Sequence, residues 1–424
     1  MGIFKANIPL LNKFIKHFDS FFSKKQFAIF TLAIYAMFKD YKRNSLYEMA
    51  KITNTDYQRF QYFFSDSKWD SQSINNKRLE LIENQLTTAF TNDGMLAIDD
   101  TSCPKPFAKK TQGAKWQHCG SLKREEICNV AVASAFVSKT KHFPVHIVPY
   151  LPEDEFYHGK FNPDFKSKID IAKDIFDNAL KSGIKFASVG IDSWYATKDF
   201  IEHVDKNGKI IYSDIKSNRN IFMFHPVKKK HTFVKPDELV TLINKHYKHK
   251  KRFTKYKHRN GNEVSKWTYS FKAKLKGCNV PFKFVVLFGK RDDKDDKKVH
   301  ILITNKLNDS SKSVIQNYLM RWGIEQCFKE LKDTFYFDQY QVRNIKKIER
   351  YWNICLLAWT LTYWIKQNDY LRKIVGKTPN TFNKIKLVVN SLLVFSSTET
   401  LSKNKKLKID HFKINPAYRK RIAA

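Results

Sequence analysis

No two cysteines in this chain have the spacing of a Cys-x-x-Cys pair. The six present, Cys103, Cys119, Cys128, Cys278, Cys327 and Cys355, are scattered, which excludes a disulfide framework or zinc finger and leaves reduced thiols. His118 and Cys119 near Cys128 fit no zinc spacing, so buried thiols are the better account. Long apolar runs are missing too. The most apolar N-terminal stretch, residues 27–38, is too short to span a bilayer and follows no signal-peptide pattern, so a cytoplasmic protein without a membrane partner is expected. Acidic residues are scarce: 41 Asp and Glu against 77 Lys and Arg leave a formal charge of +36. Such an excess repels itself unless a polyanion is the partner, and nucleic acid is the leading one.

What is present rules out a disordered basic tail. With 424 residues, 42% apolar and 15% aromatic, the chain can bury a sizeable core divided among two or three domains. Residues 1–90 carry apolar side chains at helical spacing, with helices expected over 13–22, 25–39, 45–52 and 56–65. The last two flank an Asn-Thr-Asp turn, with Ser45 and Thr55 or Asp56 as N-caps, and form a helix-turn-helix candidate for DNA contact. From about residue 94 the pattern changes to strands, at 95–100, 127–137 and 143–151. A helix (165–181), a strand (186–191), a helix (196–206) and a strand (209–214) follow, the alternation of an α/β sheet. Asp99 and Asp100 end the first strand and Asp192 follows the 186–191 strand, where open α/β sheets place ligands.

Between residues 216 and 270 there are 15 Lys and Arg against 3 Asp and Glu, interleaved with Phe, Tyr and His. Strand-like runs at 268–275, 282–288 and 299–304 complete a β-rich insertion over 216–306, suited to gripping a DNA backbone and stacking an unpaired base, with Trp267 and Tyr256 as stacking candidates. Helices are then expected over 339–350 and 351–366, and the tail 403–421 is basic enough to lie along phosphates.

Residues 318–332 read as one helix. At about 100° per residue, Tyr318, Arg321, Glu325 and Lys332 fall within about 60° of one another, a stripe of one phenol, two cations and a carboxylate that is too polar for a core. Three carboxylates from separate elements suffice to hold two metal ions for phosphoryl transfer, and Asp100, Asp192 and Glu325 meet that need in the order strand, strand, helix. Glu330 lies about 140° from Glu325 around the helix and should not replace it.

Tyr318-x2-Arg321-x3-Glu325-x6-Lys332 matches without a gap the Tyr-Arg-Glu-Lys signature of bacterial DDE transposases of the insertion-sequence-four type. Ile98-Asp99-Asp100-Thr101 resembles the first-Asp motif of that group, and Val189-Gly190-Ile191-Asp192-Ser193 its second. The similarity also takes in residues 105–120, 215–219 and 341–350. It implies an α/β fold with an RNase H-like mixed-sheet catalytic core in two parts (91–215 and 307–368), an N-terminal helical DNA-binding domain (1–90), the basic β-rich insertion (216–306) and a helical, basic C-terminal region (369–424). It further implies two Mg²⁺ ions, with Mn²⁺ able to substitute, held by Asp100, Asp192 and Glu325. DNA phosphates would be placed by Tyr318, Arg321 and Lys332, with Lys216 and Arg219 from the 215–219 segment. Asp100 is chosen over Asp99 because the Asp of that family immediately precedes the hydroxyl residue; Asp99 is the second choice. The partners implied are double-stranded DNA with terminal inverted repeats, target DNA and a second copy of the chain in a homodimer. The activity implied is cut-and-paste transposition by end nicking, hairpin formation and strand transfer in the bacterial cytoplasm, at the nucleoid. The competing expectation is a catalytically silent, domesticated transposase acting as a DNA-binding protein.

Overall fold

A computed structural model describes residues 8–39, 45–153, 164–258, 260–291, 299–367, 371 and 379–404, with side chains of the last helix described as far as Leu393. The basic tail from Lys405 lies outside the described residues. Helices α1 (Pro9–Lys16), α2 (Lys24–Met37), α3 (Leu46–Ile52), α4 (Tyr57–Ser65) and α5 (Ser71–Glu83) come first. Their starts follow from capping. Ser23 accepts from the Gln26 N–H and Gln26 reciprocates in a capping box, Ser45 accepts from Glu48, Asp56 from Gln58 and Asp70 from Ser73.

Strands β1 (Met95–Pro104), β2 (Lys115–Cys119), β3 (Arg124–Val137) and β4 (His142–Tyr150) make the antiparallel side of the core. Helix α6 (Lys168–Lys181), β5 (Ser188–Gly190), α7 (Lys198–Lys206) and β6 (Ile210–Asp214) add the parallel members, β5 pairing with both β1 and β6. The insertion contributes β7 (Ile221–His225), β8 (Lys230–Val234), an unforeseen helix α8 (Pro236–His246), β9 (Arg252–Lys257), β10 (Glu263–Leu275), β11 (Pro281–Phe288) and β12 (His300–Thr304). The runs at 268–275, 282–288 and 299–304 do pair antiparallel, as β10, β11 and β12, but as part of a larger sheet. Because β12 pairs antiparallel with β6, core and insertion form one twelve-stranded sheet in the order β2-β3-β1-β5-β6-β12-β11-β10-β7-β8, with β4 on β3 and β9 on β10.

The expected helix over 318–332 is divided. Helix α9 (Ser311–Met320) gives way to α10 (Gly323–Phe335) where Arg321, Trp322 and Ile324 donate to carbonyls only three residues back. A Cβ at Gly323 would stand 2.6 Å from Val137 Cγ1 on β3, so glycine lets the helix start lie directly on the sheet. The two helices expected over 339–366 are instead an irregular segment followed by one helix, α11 (Ile345–Gln367), whose buried Tyr351–Ile365 stretch is apolar nearly all round. Helix α12 (Phe382–Asn404) is last.

Helix α11 joins the N-terminal helices to the core. Arg350 donates to the carbonyls of Phe63, Phe64, Ser65, Ser67 and Trp69 at the end of α4, and Arg78 on α5 donates to the carbonyls of Pro144 and Val145 and to Thr360 Oγ1. One hydrophobic cluster runs from Ile8 to Leu393 through both regions. All six cysteines are free and buried, and no helix among the described residues is long and apolar enough to cross a membrane.

Candidate functional site

Strand register decides which acids meet. Residues directly opposite one another across paired strands share a face, and Ala97 stands opposite Gly190, which stands opposite Tyr212. Two residues along from Ala97 and Tyr212, Asp99 and Asp214 project to that same face. It is the face covered by α9 and α10: a Cβ on Gly190 would meet the Cβ and Cγ of Arg321 at 3.3 Å. Asp100 projects to the opposite face, where it is ion-paired with Lys168 of α6.

Arg321 sits at the centre of the first face. Its Nη1 is 2.7 Å from Asp99 Oδ2 and its Nη2 is 3.4 Å from Glu325 Oε1. Burial opposes its charge, but Asp99, Tyr318, Glu325 and Asp192 outweigh burial and hold its pKa above the ordinary guanidinium value. Asp99 is pushed up to about 7, first by burial and then by the charges of Asp192 and Asp100, with Arg321 opposing the rise. Asp192 is anchored by its own turn, Oδ1 accepting the N–H groups of Trp194 and Tyr195 at 3.0 and 3.1 Å. Tyr318 faces Asp214, and burial followed by the Asp214 charge raises its phenol pKa.

The remaining expected residues divide. Lys332 turns to the end of β1, donating to the Ser102 carbonyl at 2.8 Å. Lys216 lies 5.8 Å from the Trp194 ring centre, and Arg219 is held by the Ala196 carbonyl at 3.1 Å. Both therefore border the Asp192 turn. Glu330 points away, as its helical position requires, toward His142 and Trp359. Within the insertion, Tyr256 is buried in a cluster with Val285, Leu287 and Val314, while Trp267 is half-buried with the Arg291 guanidinium 5.1 Å from its ring centre. The helix-turn-helix candidate is present as α3 and α4, whose outer surface exposes Tyr47, Tyr57 and Tyr62.

Sequence reasoning missed three neighbours of the site. Asp214 ends β6 beside Asp192; its Oδ1 is buried without a hydrogen-bond partner, and burial and the Asp192 charge raise its pKa. Trp194 is 42% exposed between two lysines, with Lys168 Nζ 5.4 Å and Lys216 Nζ 5.8 Å from its ring centre. The strand-end position of Asp214 was visible in the sequence; the pairing of Lys168 was not, since it depends on which way Asp100 points.

Carboxylate oxygens are the hard donors that a divalent ion of the Mg²⁺ type takes. Asp99, Asp192 and Glu325 supply them, and the raised pKa of Asp99 and the orphaned oxygen of Asp214 mark a surplus of negative groups that a dication would offset. The donor set fits in kind. Among the described residues, though, no three such side chains stand close enough to hold an ion, because Arg321 lies between Asp99 and Glu325.

Residues 16–239 match the family model described as DDE superfamily endonuclease. The match takes in Asp99, Asp100, Asp192 and Asp214 and stops before Glu325. Over 220 residues the chain is 28% identical to a protein described as a probable transposase for insertion sequence element IS701 from Microchaete diplosiphon, covering 50% of this chain and 56% of that relative. The chain thus spans about half the length of this curated relative.

Proposed function

The chain belongs to the DDE superfamily of endonucleases, and on that premise we propose that it is the transposase of a bacterial insertion sequence, moving DNA by cut-and-paste transposition. The observation that carries this reading is the gathering of Asp99, the Asp192 turn, Arg321 and Glu325 on one face of the sheet, in a chain of charge +36. Asp99 takes the place of Asp100 in the catalytic set, because strand alternation turns Asp99 to the face of the sheet where Arg321 links it to Glu325, and Asp100 to Lys168. Asp99, Asp192 and Glu325 would hold the two divalent ions, Mg²⁺ or Mn²⁺, and when bound these supply charge neutralisation and Lewis acidity at a phosphodiester.

The remaining roles belong to the chain itself. Arg321, between two carboxylates, is placed to exchange one of them for a phosphate oxygen, a bond its planar fork makes well. Tyr318 lies beside Asp214 and, with Arg321, orders the wall facing the scissile strand. Lys332, Lys216 and Arg219 grip neighbouring phosphates, while α3–α4 and the insertion hold the flanking duplex. End nicking, hairpin formation and strand transfer then use the same carboxylates in turn, in a homodimer that pairs two inverted-repeat ends before engaging target DNA.

Cleavage of labelled linear DNA bearing the element's terminal repeat, with Mg²⁺ and with EDTA, tests the proposal. Wild type is expected to nick at the repeat boundary only with metal. Asp99→Ala, Asp192→Ala and Glu325→Ala should each lose cleavage by about a thousandfold or more while keeping DNA binding, and Asp100→Ala should retain a measurable rate. Loss in Asp100→Ala with survival in Asp99→Ala would return the first position to Asp100. Binding without cleavage by folded wild type would establish a silent DNA-binding protein instead.

A further inference from the structure

The β7–β8 hairpin bears a surface for which the catalytic site has no use. Its inward residues, Ile221, Met223 and Val234, are buried in the core. Its outward ones are Phe222, Phe224 and Phe233, exposed by 40%, 46% and 47%, with His231 among them. The four rings form a ladder: the Phe222 and Phe233 centroids are 5.3 Å apart, and His231 lies 5.7 Å from both Phe222 and Phe224. Contiguous exposed rings of this kind mark a binding surface, since the core gains nothing from them.

The hairpin is held in shape. Buried His225 accepts the N–H groups of Val227 and Lys228 at Nδ1, each at 3.2 Å, and turns Nε2 to Glu238 at 3.2 Å. Its surroundings are cationic: residues 216–236 contain no Asp or Glu, Lys228 and Lys229 lie in the turn and Lys230 opens β8, and Lys274 stands opposite Phe222. Lys276 Nζ lies 5.6 Å from the Phe233 ring centre.

Aromatic faces with lysines between them suit a strand whose bases are free to stack while its phosphates are neutralised. A duplex hides its base faces, and a second copy of the hairpin would set lysine against lysine. We propose that the outward face of the β7–β8 hairpin is a stacking platform for unpaired nucleobases of a DNA strand. The register runs from Phe222 through Lys274 and Lys272 to Lys283, Thr304, Tyr212, Gly190 and Ala97, so the platform and Asp99 lie on the same side of the sheet. Six strand spacings separate β7 from β1, roughly 30 Å along the sheet. The proposal rests on DNA being the substrate, as inferred above, and assigns unpaired nucleotides to this part of it.

Fluorescence anisotropy with the full chain in EDTA tests it, using a labelled oligothymidylate, a blunt duplex of the same length, and wild type, Phe222→Ala, Phe233→Ala and Phe222→Leu. Each Ala variant is expected to bind the single strand about tenfold more weakly and the duplex nearly as wild type, and Phe222→Leu, apolar but without a ring, should lose affinity too. Unchanged single-strand binding in both Ala variants would overturn the platform, as would equal losses for strand and duplex. So would a dimer-to-monomer shift in sedimentation with single-strand affinity intact, which would assign the face to a second copy. Wild type that cleaves end DNA but ignores oligothymidylate sinks the platform alone. Ring-dependent strand binding by a protein that never cleaves upholds the platform and sinks the transposase reading.

Discussion

Asp99 is a carboxylate at odds with its surroundings. Burial and neighbouring acids raise its pKa to about 7 although Arg321 is bonded to it. A carboxyl raised in this way favours the folded state while it is protonated. Between the ordinary value near 4 and the raised one near 7, the unfolded chain has released the proton and the folded chain has not, so stability falls as pH rises through that window. Thermal unfolding in EDTA across this range should show wild type losing stability relative to Asp99→Asn, the difference levelling off above about pH 7; parallel curves would mean that Asp99 titrates normally. Arg321 raises a second expectation. With Asp99 and Glu325 as the proposed metal ligands, Arg321 would compete with a dication for their oxygens, so Arg321→Ala should bind Mn²⁺ more tightly than wild type in a calorimetric titration without DNA, yet, given its proposed role as a phosphate ligand, cleave end DNA at least about tenfold more slowly. Weaker Mn²⁺ binding in that variant would make the arginine a support of the metal site instead of its competitor.

Among the elements, the join between α9 and α10 sets how closely Glu325 approaches the sheet. Gly323 is the contact point, with a Cβ there falling 2.6 and 2.7 Å from the two Val137 methyls. Gly323→Ala is therefore expected to cost about 1–3 kcal/mol in denaturant unfolding and to reduce cleavage, because the helix start must lift from β3; restoration by Val137→Ala in the double variant would show that the clash is the cause. Sequence alone located this element but not its break, since the spacing of Tyr318, Arg321, Glu325 and Lys332 carries no sign of where one helix ends and the next begins. The choice between Asp99 and Asp100 was hidden for a related reason. Residues 95–98 are apolar without alternation, and only pairing with β3 and β5 tells which neighbour faces α10. The strand and helix order of the core and the N-caps at Ser45 and Asp56 were legible because they rest on local pattern and local hydrogen bonds. Strand β2, too short and polar to stand out, and helix α8, set among lysines, were not.

At the scale of the whole molecule, regions that differ in composition are joined by packing and strand pairing. The helical N-terminal region and the insertion each differ in pattern from the core, but Arg78 and Arg350 tie the first to β4, α11 and α4 through carbonyl hydrogen bonds, and β12 joins the second to β6. Long-range strand pairing leaves no mark at the residues that make it, so a reading by local composition could not have found the continuous sheet.

That sheet has a mechanical consequence. With neighbouring strands hydrogen-bonded from β3 to β8, the carboxylates and the lysine-rich far edge belong to one continuous sheet, which resists bending between them. If DNA is the substrate, as proposed, the change of shape that brings both ends of the sheet into contact with one molecule falls mainly to the DNA, which would bend or open its pairs along the sheet.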